Sequence, residues 1–512
     1  MTRKNQTDRK AVCIAVLGTG SDVGKSIVTT ALCRVFSQKG LRVAPFKAQN
    51  MSNNSGVTPE GLEMGRAQIA QAEAAGIVPH VDMNPILLKP TGETGSQVVL
   101  LGKAIEDKHA AEYHRKKERL FHAAASALDR LREKYDLVII EGAGSCAEVN
   151  LMPNDIVNFR IAEYSDAPVL LVADIHKGGV FAQVVGTLVC LPPHHQDRIR
   201  GIIINRFRGD IGLFRDGVRW IEEKTSKPVA GVLPWYTHIT IDQEDSVVIE
   251  KPDQTPKGKK DQPAIAVIRL PHISNFTDFA PLSAIQGLTL RFVEQPCDLS
   301  PFTAVIIPGS KNTRTDLEWL NVIGWEKRLT DYVSDGGHIL GICGGYQMMG
   351  RYVHDPEGLE GSPGTTSGLG FLSVETTLKA PKTTTLTDFL WNDIPGSGYE
   401  IHMGQTDRAD GRPMLTVKAR NGVTCSDLDG CIADSNSALM GTYMHGLFDN
   451  PEITNHWLET LNLAALKTTK PAGLAARDIE YNLLAGHFTK HIDMKGITDL
   501  ILEQAPHLRG KL

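Results

Sequence analysis

The sequence predicts an α/β protein of two main domains, each built on a mostly parallel, doubly wound sheet. Three observations predict it. The chain has 512 residues, more than one hydrophobic core usually organises. Short apolar runs alternate with helix-patterned segments from the start, the rhythm of parallel strands joined by crossover helices. One polar interruption then breaks the rhythm, after which it begins again.

In the first half the strands are expected in AVCIAVLG, LRVAPFK, YDLVIIEG, APVLLVAD and IRGIIINR. Each run ends in Gly, Asp, Asn or Lys, where the carboxyl ends of such strands present ligand-binding loops. The stretch EKPDQTPKGKKDQP is rich in Pro, Lys and Gly and nearly devoid of apolar residues, so a linker is placed at 251–263 between a nucleotide-binding domain over 1–250 and a second domain over 264–455. Strands of the second sheet are expected in AIAVIRL, LTLRFV, TAVIIPG, GHILGICGG and SALMGTYMHG. From about Pro451 the apolar spacing turns helical, giving a helical extension over 456–512.

Hydrophobic residues make up 41%, charged residues 22%, and the formal net charge is -5, which leaves no electrostatic footprint for nucleic acid and no polybasic membrane patch. The eight cysteines lack CxxC spacing, which argues against a zinc site or a disulfide scaffold. The polar N-terminus is followed by an apolar run too short for a signal sequence or a membrane span, so the cytoplasm is the expected home. Histidines such as His194 and His195 read as surface or packing residues rather than metal ligands. The sequence carries no signal of oligomeric state.

After the first strand comes Gly18-Thr19-Gly20-Ser21-Asp22-Val23-Gly24-Lys25-Ser26, opening an apolar helix. Glycines let backbone N–H groups face phosphate oxygens, Lys25 neutralises the outer phosphates of ATP, and the Ser26 hydroxyl suits Mg²⁺. The expected nucleotide contacts are Gly18, Thr19, Gly20, Asp22, Val23, Gly24, Lys25 and Ser26. The common phosphate loop has its first glycine where this chain has Thr19, one place after Gly18. A GT-x-x-x-VGKS loop of this length resembles that of dethiobiotin synthetase and its relatives, which pass the terminal phosphate of ATP to carboxylate or carbamate substrates. Lys47, in PFKAQN, is placed to bridge the transferring phosphate and the acyl oxygen. Glu141 ends a strand as a second Mg²⁺ contact. Asn205, followed by Arg206, stands at another strand end as a candidate for the purine side of the site, and Asp174 belongs to the same rim.

The second site is carried by GHILGICGGYQMMG. Cys343 sits in Gly341-Ile342-Cys343-Gly344-Gly345 directly after a strand, where small neighbours let the chain turn sharply and raise the side chain over the sheet edge. Backbone N–H groups of Gly344 and Gly309 are candidates for an oxyanion hole. An ordinary thiol, with a pKa of about 8.5, needs a base, and His445 at the end of SALMGTYMHG is the candidate. Cys followed by His on a strand end resembles the class I, or triad, glutamine amidotransferases, and that resemblance makes Gln347 a glutamine contact. The class usually has a glutamate two residues after the histidine; here that residue is Leu447. Either another group fixes the imidazole tautomer, with Glu400 a candidate, or Cys and His work alone.

Nearly the whole chain then resembles the cobyric acid synthases, the CobQ/CbiP-type amidotransferases of cobalamin biosynthesis. The segments that carry the resemblance are GTGSDVGKS, PFKAQNMSNNS, GRAQIAQAEAA, MNPILLKP, EGAGSCAEVNL, DIVNF, INRFRGD, PGSKNT, GICGGYQMMG, GYEIHMG and TYMHGLF. The missing glutamate after His445 fits that family. The resemblance implies ATP- and glutamine-dependent amidation of peripheral carboxylates of a corrinoid, adenosylcobyrinic acid a,c-diamide, through acyl phosphates, with an internal passage for ammonia. Glu148 and Asp155 are then candidates for substrate handling. The rival enzymes are cobyrinate a,c-diamide synthase and a CTP synthase-like amidotransferase. The rival from another class is a nucleotide switch of the partitioning-ATPase kind with a decayed glutaminase lobe, and intact Cys343 and His445 speak against it.

Overall fold

Every apolar run singled out in the sequence becomes a strand of one of two central sheets. The computed structural model describes residues 10–90, 95–105, 110–236, 239, 241, 262–468 and 473–512, of 110–116 the backbone alone. The linker expected over 251–263 lies, apart from its last two residues, outside the described residues. Among the described residues no helix is long and apolar enough to cross a membrane.

The first sheet holds β1 (Val12–Gly18), β2 (Val43–Phe46), β3 (Leu137–Glu141), β4 (Val169–Asp174), β5 (Ile199–Phe207) and β6 (Val229–Pro234). Its order is β6-β5-β4-β1-β3-β2, all parallel. Strand β1 is flanked on one side by β3 and on the other by β4, so the chain reverses its winding there, and the crevice above the carboxyl end of such a strand is where open α/β sheets bind ligands. Strands buried on both faces explain the unbroken Val/Ile/Leu runs.

The second sheet holds β7 (Ala264–Ile268), β8 (Thr289–Val293), β9 (Ala304–Ile307), β10 (His338–Ile342), β11 (Cys431–Ile432) and β12 (Leu439–Thr442). Its order is β8-β7-β9-β10-β12-β11, parallel except for the last pair. Between β10 and β11 the chain builds two four-stranded sheets, which the sequence reading did not resolve. One of them contains the hairpin Thr383–Trp391/Ile394–His402, which carries GYEIHMG over the second site.

The tail differs from expectation in two ways. The boundary placed at 455 falls inside the helix Pro451–Thr460, whose Ile453, Trp457 and Leu458 are buried in the core of the second domain. The helices Gly473–His491 and Met494–Gln504 return to the first domain, where Tyr481, Leu484, Phe488 and Ile501 pack with Val28, Leu32 and Phe36. The tail therefore ties the two domains together. Arg477 and Tyr481 hold Glu73 of the first domain at 2.8 Å each, and Arg477 also reaches Asp449 of the second at 3.1 Å.

Candidate active sites

The loop after β1 turns into the helix Lys25–Gln38 through Gly24, whose φ of 100° is left-handed. A Cβ there would lie 2.0 Å from Nδ2 of Asn205, so only glycine fits on both counts. Thr19, where a glycine is usual, donates its N–H to Val172 O at 2.9 Å, which keeps it in the strand ladder. Lys25 is buried, its ammonium 2.9 Å from the carbonyls of Gly20 and of Gly144.

Register pairs Val16 with Glu141, which sets that carboxylate beside the loop. The Ser26 hydroxyl donates to Glu141 Oε1 at 2.8 Å, the Lys47 ammonium lies 3.1 Å from the same oxygen, and Gln71 Nε2 donates to Oε2 at 2.5 Å. All of this is buried or nearly so; Glu141 is fully enclosed. Hydroxyl and carboxylate oxygens converging in this way are a hard donor set, which fits Mg²⁺. Gln71 was not found from the sequence; it lies in the quoted GRAQIAQAEAA, and only the packing of that helix against the sheet shows where its amide points.

Lys25, Ser26 and Lys47, with Glu141 and Gln71 behind them, line a cavity of about 930 Å³ together with Asn50, Met51, Leu88, Glu148, Asp155, Asn205, Arg206 and Trp235. Asn205 does not project freely toward a base: its Nδ2 donates to Val23 O at 2.9 Å and so props the phosphate loop. Asp174 is engaged by Arg206 at 2.9 Å and by the His176 N–H at 2.7 Å, a structural pairing that aims the guanidinium side of the rim. Arg208 lies 4.2 Å from the Trp235 ring centre, so the loop after β6 supplies an aromatic wall that the sequence reading missed. Glu148 is exposed at the mouth. Asp155 caps the turn that follows it, accepting from Val157 N at 2.9 Å, and burial raises its pKa above the usual carboxylate value. Away from this cavity, His195 stacks on Phe159 and faces Glu163 at 3.1 Å, with His194 at 3.4 Å from the same carboxylate.

At the second site Cys343 has φ 52° and ψ −108°, a conformation rare for a non-glycine residue and expected of a nucleophile elbow. A Cβ on Gly345 would lie 1.9 Å from Ile307 O, so the turn closes directly on the neighbouring strand. Gly344 opens the helix Gly344–Met348, with its N–H among those of a first helical turn. Gly309 sits across the site, where a Cβ would meet His445 Cε1 at 3.2 Å. Gln347 lines the cavity, but its amide is committed to the wall: Nε2 donates to Met403 O at 3.0 Å and to Tyr443 OH at 3.1 Å, and Oε1 accepts from Thr313 at 3.0 Å.

His445 lines the same cavity as Cys343, whose thiol donates to Ile401 O at 3.5 Å, and the imidazole Nδ1 is 2.6 Å from Asp278 Oδ2. Asp278 is the partner that the sequence reading lacked. Its other oxygen accepts from Gly446 N at 3.1 Å, and the Tyr399 ring stacks on the imidazole at 5.2 Å. Burial alone would lower the histidine's pKa; the charges of Asp278 and Cys343 and the Asp278 hydrogen bond outweigh it and raise it to about 10. Such a site can hold the thiol's proton on the imidazole. Glu400 is not the orienting group. It is taken by Arg420 at 2.9 Å, Thr387 at 2.9 Å and His402 at 3.5 Å. Residue 399 bridges to His445 through its backbone, and the strand's alternation turns residue 400 away.

The two sites are one strand apart. Leu88 lines the large cavity and Lys89, next along Ile86–Pro90, lines the cavity of about 30 Å³ that holds Cys343 and His445.

The family model described as the CobQ/CobB/MinD/ParA nucleotide binding domain matches residues 14–247, and that described as the CobB/CobQ-like glutamine amidotransferase domain matches 264–453. The chain is 52% identical over 496 residues to a cobyric acid synthase of Chlorobium phaeobacteroides (strain BS1), a match covering 95% of this chain and 99% of that protein. A cobyric acid synthase of Chlorobaculum tepidum is 50% identical over 488 residues, covering 94% and 96%. One of Syntrophobacter fumaroxidans is 43% identical over 504 residues, covering 95% and 98%.

Proposed function

The chain belongs to the cobyric acid synthase family of glutamine-dependent carbon–nitrogen ligases, and we propose that it amidates peripheral carboxylates of adenosylcobyrinic acid a,c-diamide to give adenosylcobyric acid, at one ATP and one glutamine per amide. In the second domain His445, held by Asp278, takes the Cys343 proton. The thiolate attacks the glutamine carboxamide carbon while N–H groups of Gly344 and Gly309 steady the oxyanion. The imidazolium returns its proton to the departing nitrogen, ammonia leaves, and water hydrolyses the thioester to glutamate.

In the first domain an oxygen of the acceptor carboxylate attacks the terminal phosphorus of ATP, ADP leaves, and an acyl phosphate results. Lys25 and Lys47 offset the charge that gathers on the transferring group. Mg²⁺ held by Ser26 and Glu141 would supply further charge neutralisation. Glu148 and Asp155, on the wall facing the phosphate loop, orient the acceptor. Ammonia then attacks the acyl carbon and inorganic phosphate departs. Because water would protonate free ammonia, its path runs inside the junction, past the strand that carries Leu88 and Lys89.

That one-strand separation is the observation that carries the proposal, since it sets a nitrogen source beside a phosphate-activating site. The test is mass spectrometry of the corrinoid after incubation with ATP, Mg²⁺ and glutamine, repeated for Cys343→Ala with glutamine and with ammonium salt. The variant should lose amidation from glutamine and keep it from ammonium. Loss from both sources in a folded variant would refute this division of labour.

A further inference from the structure

The small cavity around Cys343 is lined in part by charged groups that the ammonia-releasing chemistry does not use. Lys89 and Lys382 meet there on Glu63 across the domain junction. Glu63 Oε1 accepts from Lys89 at 2.7 Å and from Ser55 at 2.8 Å, and its Oε2 accepts from Lys382 at 2.7 Å. Both carboxylate oxygens are therefore spoken for by two lysines. Asp355 is likewise committed, accepting from the backbone of Leu359 at 2.8 Å and Glu360 at 2.9 Å.

Lys311 faces the same cavity and has none of these anions to itself. Among the described residues its ammonium makes no hydrogen bond and no salt bridge, and the charges that act on it are those of Lys382, Glu360 and Glu63. It is partly buried, and burial together with Lys382 lowers its pKa to about 8. A cation withheld from water and from a counter-ion is costly unless a ligand completes it.

Glu360 lines the cavity as well and is not within salt-bridge distance of Lys311. One of its oxygens accepts from Arg314 N at 3.2 Å, and burial raises its pKa to about 7. One cation and one carboxyl, not paired with each other and lining the same pocket as a thiol and an imidazole, match the two charged groups of an α-amino acid whose side-chain amide reaches the thiol.

We propose that Lys311 and Glu360 form the α-amino-acid subsite for glutamine, Lys311 receiving the α-carboxylate and Glu360 the α-ammonium group. This rests on the glutaminase reading of Cys343 and His445. The Glu63–Lys89–Lys382 cluster helps keep Lys311 unpaired by saturating Glu63, one of the two carboxylates whose charge acts on it. Since Glu63 and Lys89 belong to the first domain, the subsite has its charge balance only when the domains are docked. As it stands the cavity admits little more than a water-sized molecule, so the flexible Lys311 stem lifts to let the amino acid in.

The test compares hydrolysis of three amides by the full-length protein: L-glutamine, 4-aminobutanamide, which lacks the α-carboxylate, and glutaramate, which lacks the α-amino group. Lys311→Met should raise the KM for glutamine on the order of 100-fold, from loss of a charge-assisted contact, with kcat nearly unchanged. Its preference for glutamine over 4-aminobutanamide should collapse while its preference over glutaramate persists; Glu360→Gln should show the reverse. Alkylation of Cys343 by iodoacetamide and amidation from ammonium salt should be unchanged in both variants. Equal losses on all three amides, or an unchanged KM for glutamine, would overturn the subsite. A wild-type protein that releases no glutamate from glutamine yet amidates from ammonium would overturn the glutaminase reading, and the subsite with it.

Discussion

Replacing Asp278 by asparagine keeps the shape of the carboxylate and removes its charge. In the folded protein Asp278 and His445 are both buried, their contact is 2.6 Å, and the histidine's pKa is raised from 6.5 to about 10. A rise of that size corresponds to roughly 5 kcal/mol of preference for the imidazolium. Asp278 is the largest of the groups that raise it, so on the order of 3 kcal/mol of that preference falls away in Asp278→Asn. At 1.4 kcal/mol per tenfold, kcat/KM for glutamine should drop on the order of 10²-fold. The assay is glutamate release at pH 7.5, with iodoacetamide alkylation of Cys343 as a measure of thiolate and ammonium-supported amidation as the control. Alkylation should slow and the ammonium reaction should hold. A folded variant whose glutaminase stays within a few-fold of wild type would show that another group orients His445, and the assignment of a Cys343–His445–Asp278 triad would be wrong.

Three further outcomes follow from the same geometry. Glu73, bound by Arg477 and Tyr481, has its pKa lowered from 4.5 to about 2, because Arg66 and Arg477 outweigh the cost of burial. Its stabilisation, roughly 3 kcal/mol, is present above pH 4.5 and fades as the pH falls toward 2, so denaturant midpoints of wild type and Glu73→Gln should converge in acid; a gap independent of pH would contradict this. Gly24→Ala should weaken ATP binding by calorimetry at least ~10-fold, and adding Asn205→Ala should restore only part, since it relieves the clash but leaves the left-handed φ. Lys47→Met should retain nucleotide binding but lose amidation from glutamine and ammonium alike by about 10²-fold, as befits a contact to the transferring phosphate; amidation from ammonium at the wild-type rate would remove Lys47 from that role.

Both central sheets and the placement of the phosphate loop and the cysteine elbow were legible in the residues, because those features are local. A buried parallel strand needs a short unbroken apolar run, a phosphate loop needs glycine before Lys25, and an elbow needs small residues on both sides of Cys343. The motifs also carried the family resemblance, since most of them are contiguous backbone devices whose spacing survives in one dimension.

Partners that meet only after folding were not legible. Asp278 precedes Cys343 and His445 in the chain and lies in a short turn with no motif of its own, so no spacing rule leads from His445 to it. Glu400, in GYEIHMG, was the candidate the sequence offered, yet strand alternation turns it toward Arg420. Gln71 reaches Glu141 only because its helix packs over the sheet, and Lys89 enters the glutaminase cavity, with Glu63 behind it, only because two domains close on one another. Carboxylates and ammoniums separated by hundreds of residues interact through distance and low dielectric, which the linear order of residues does not encode.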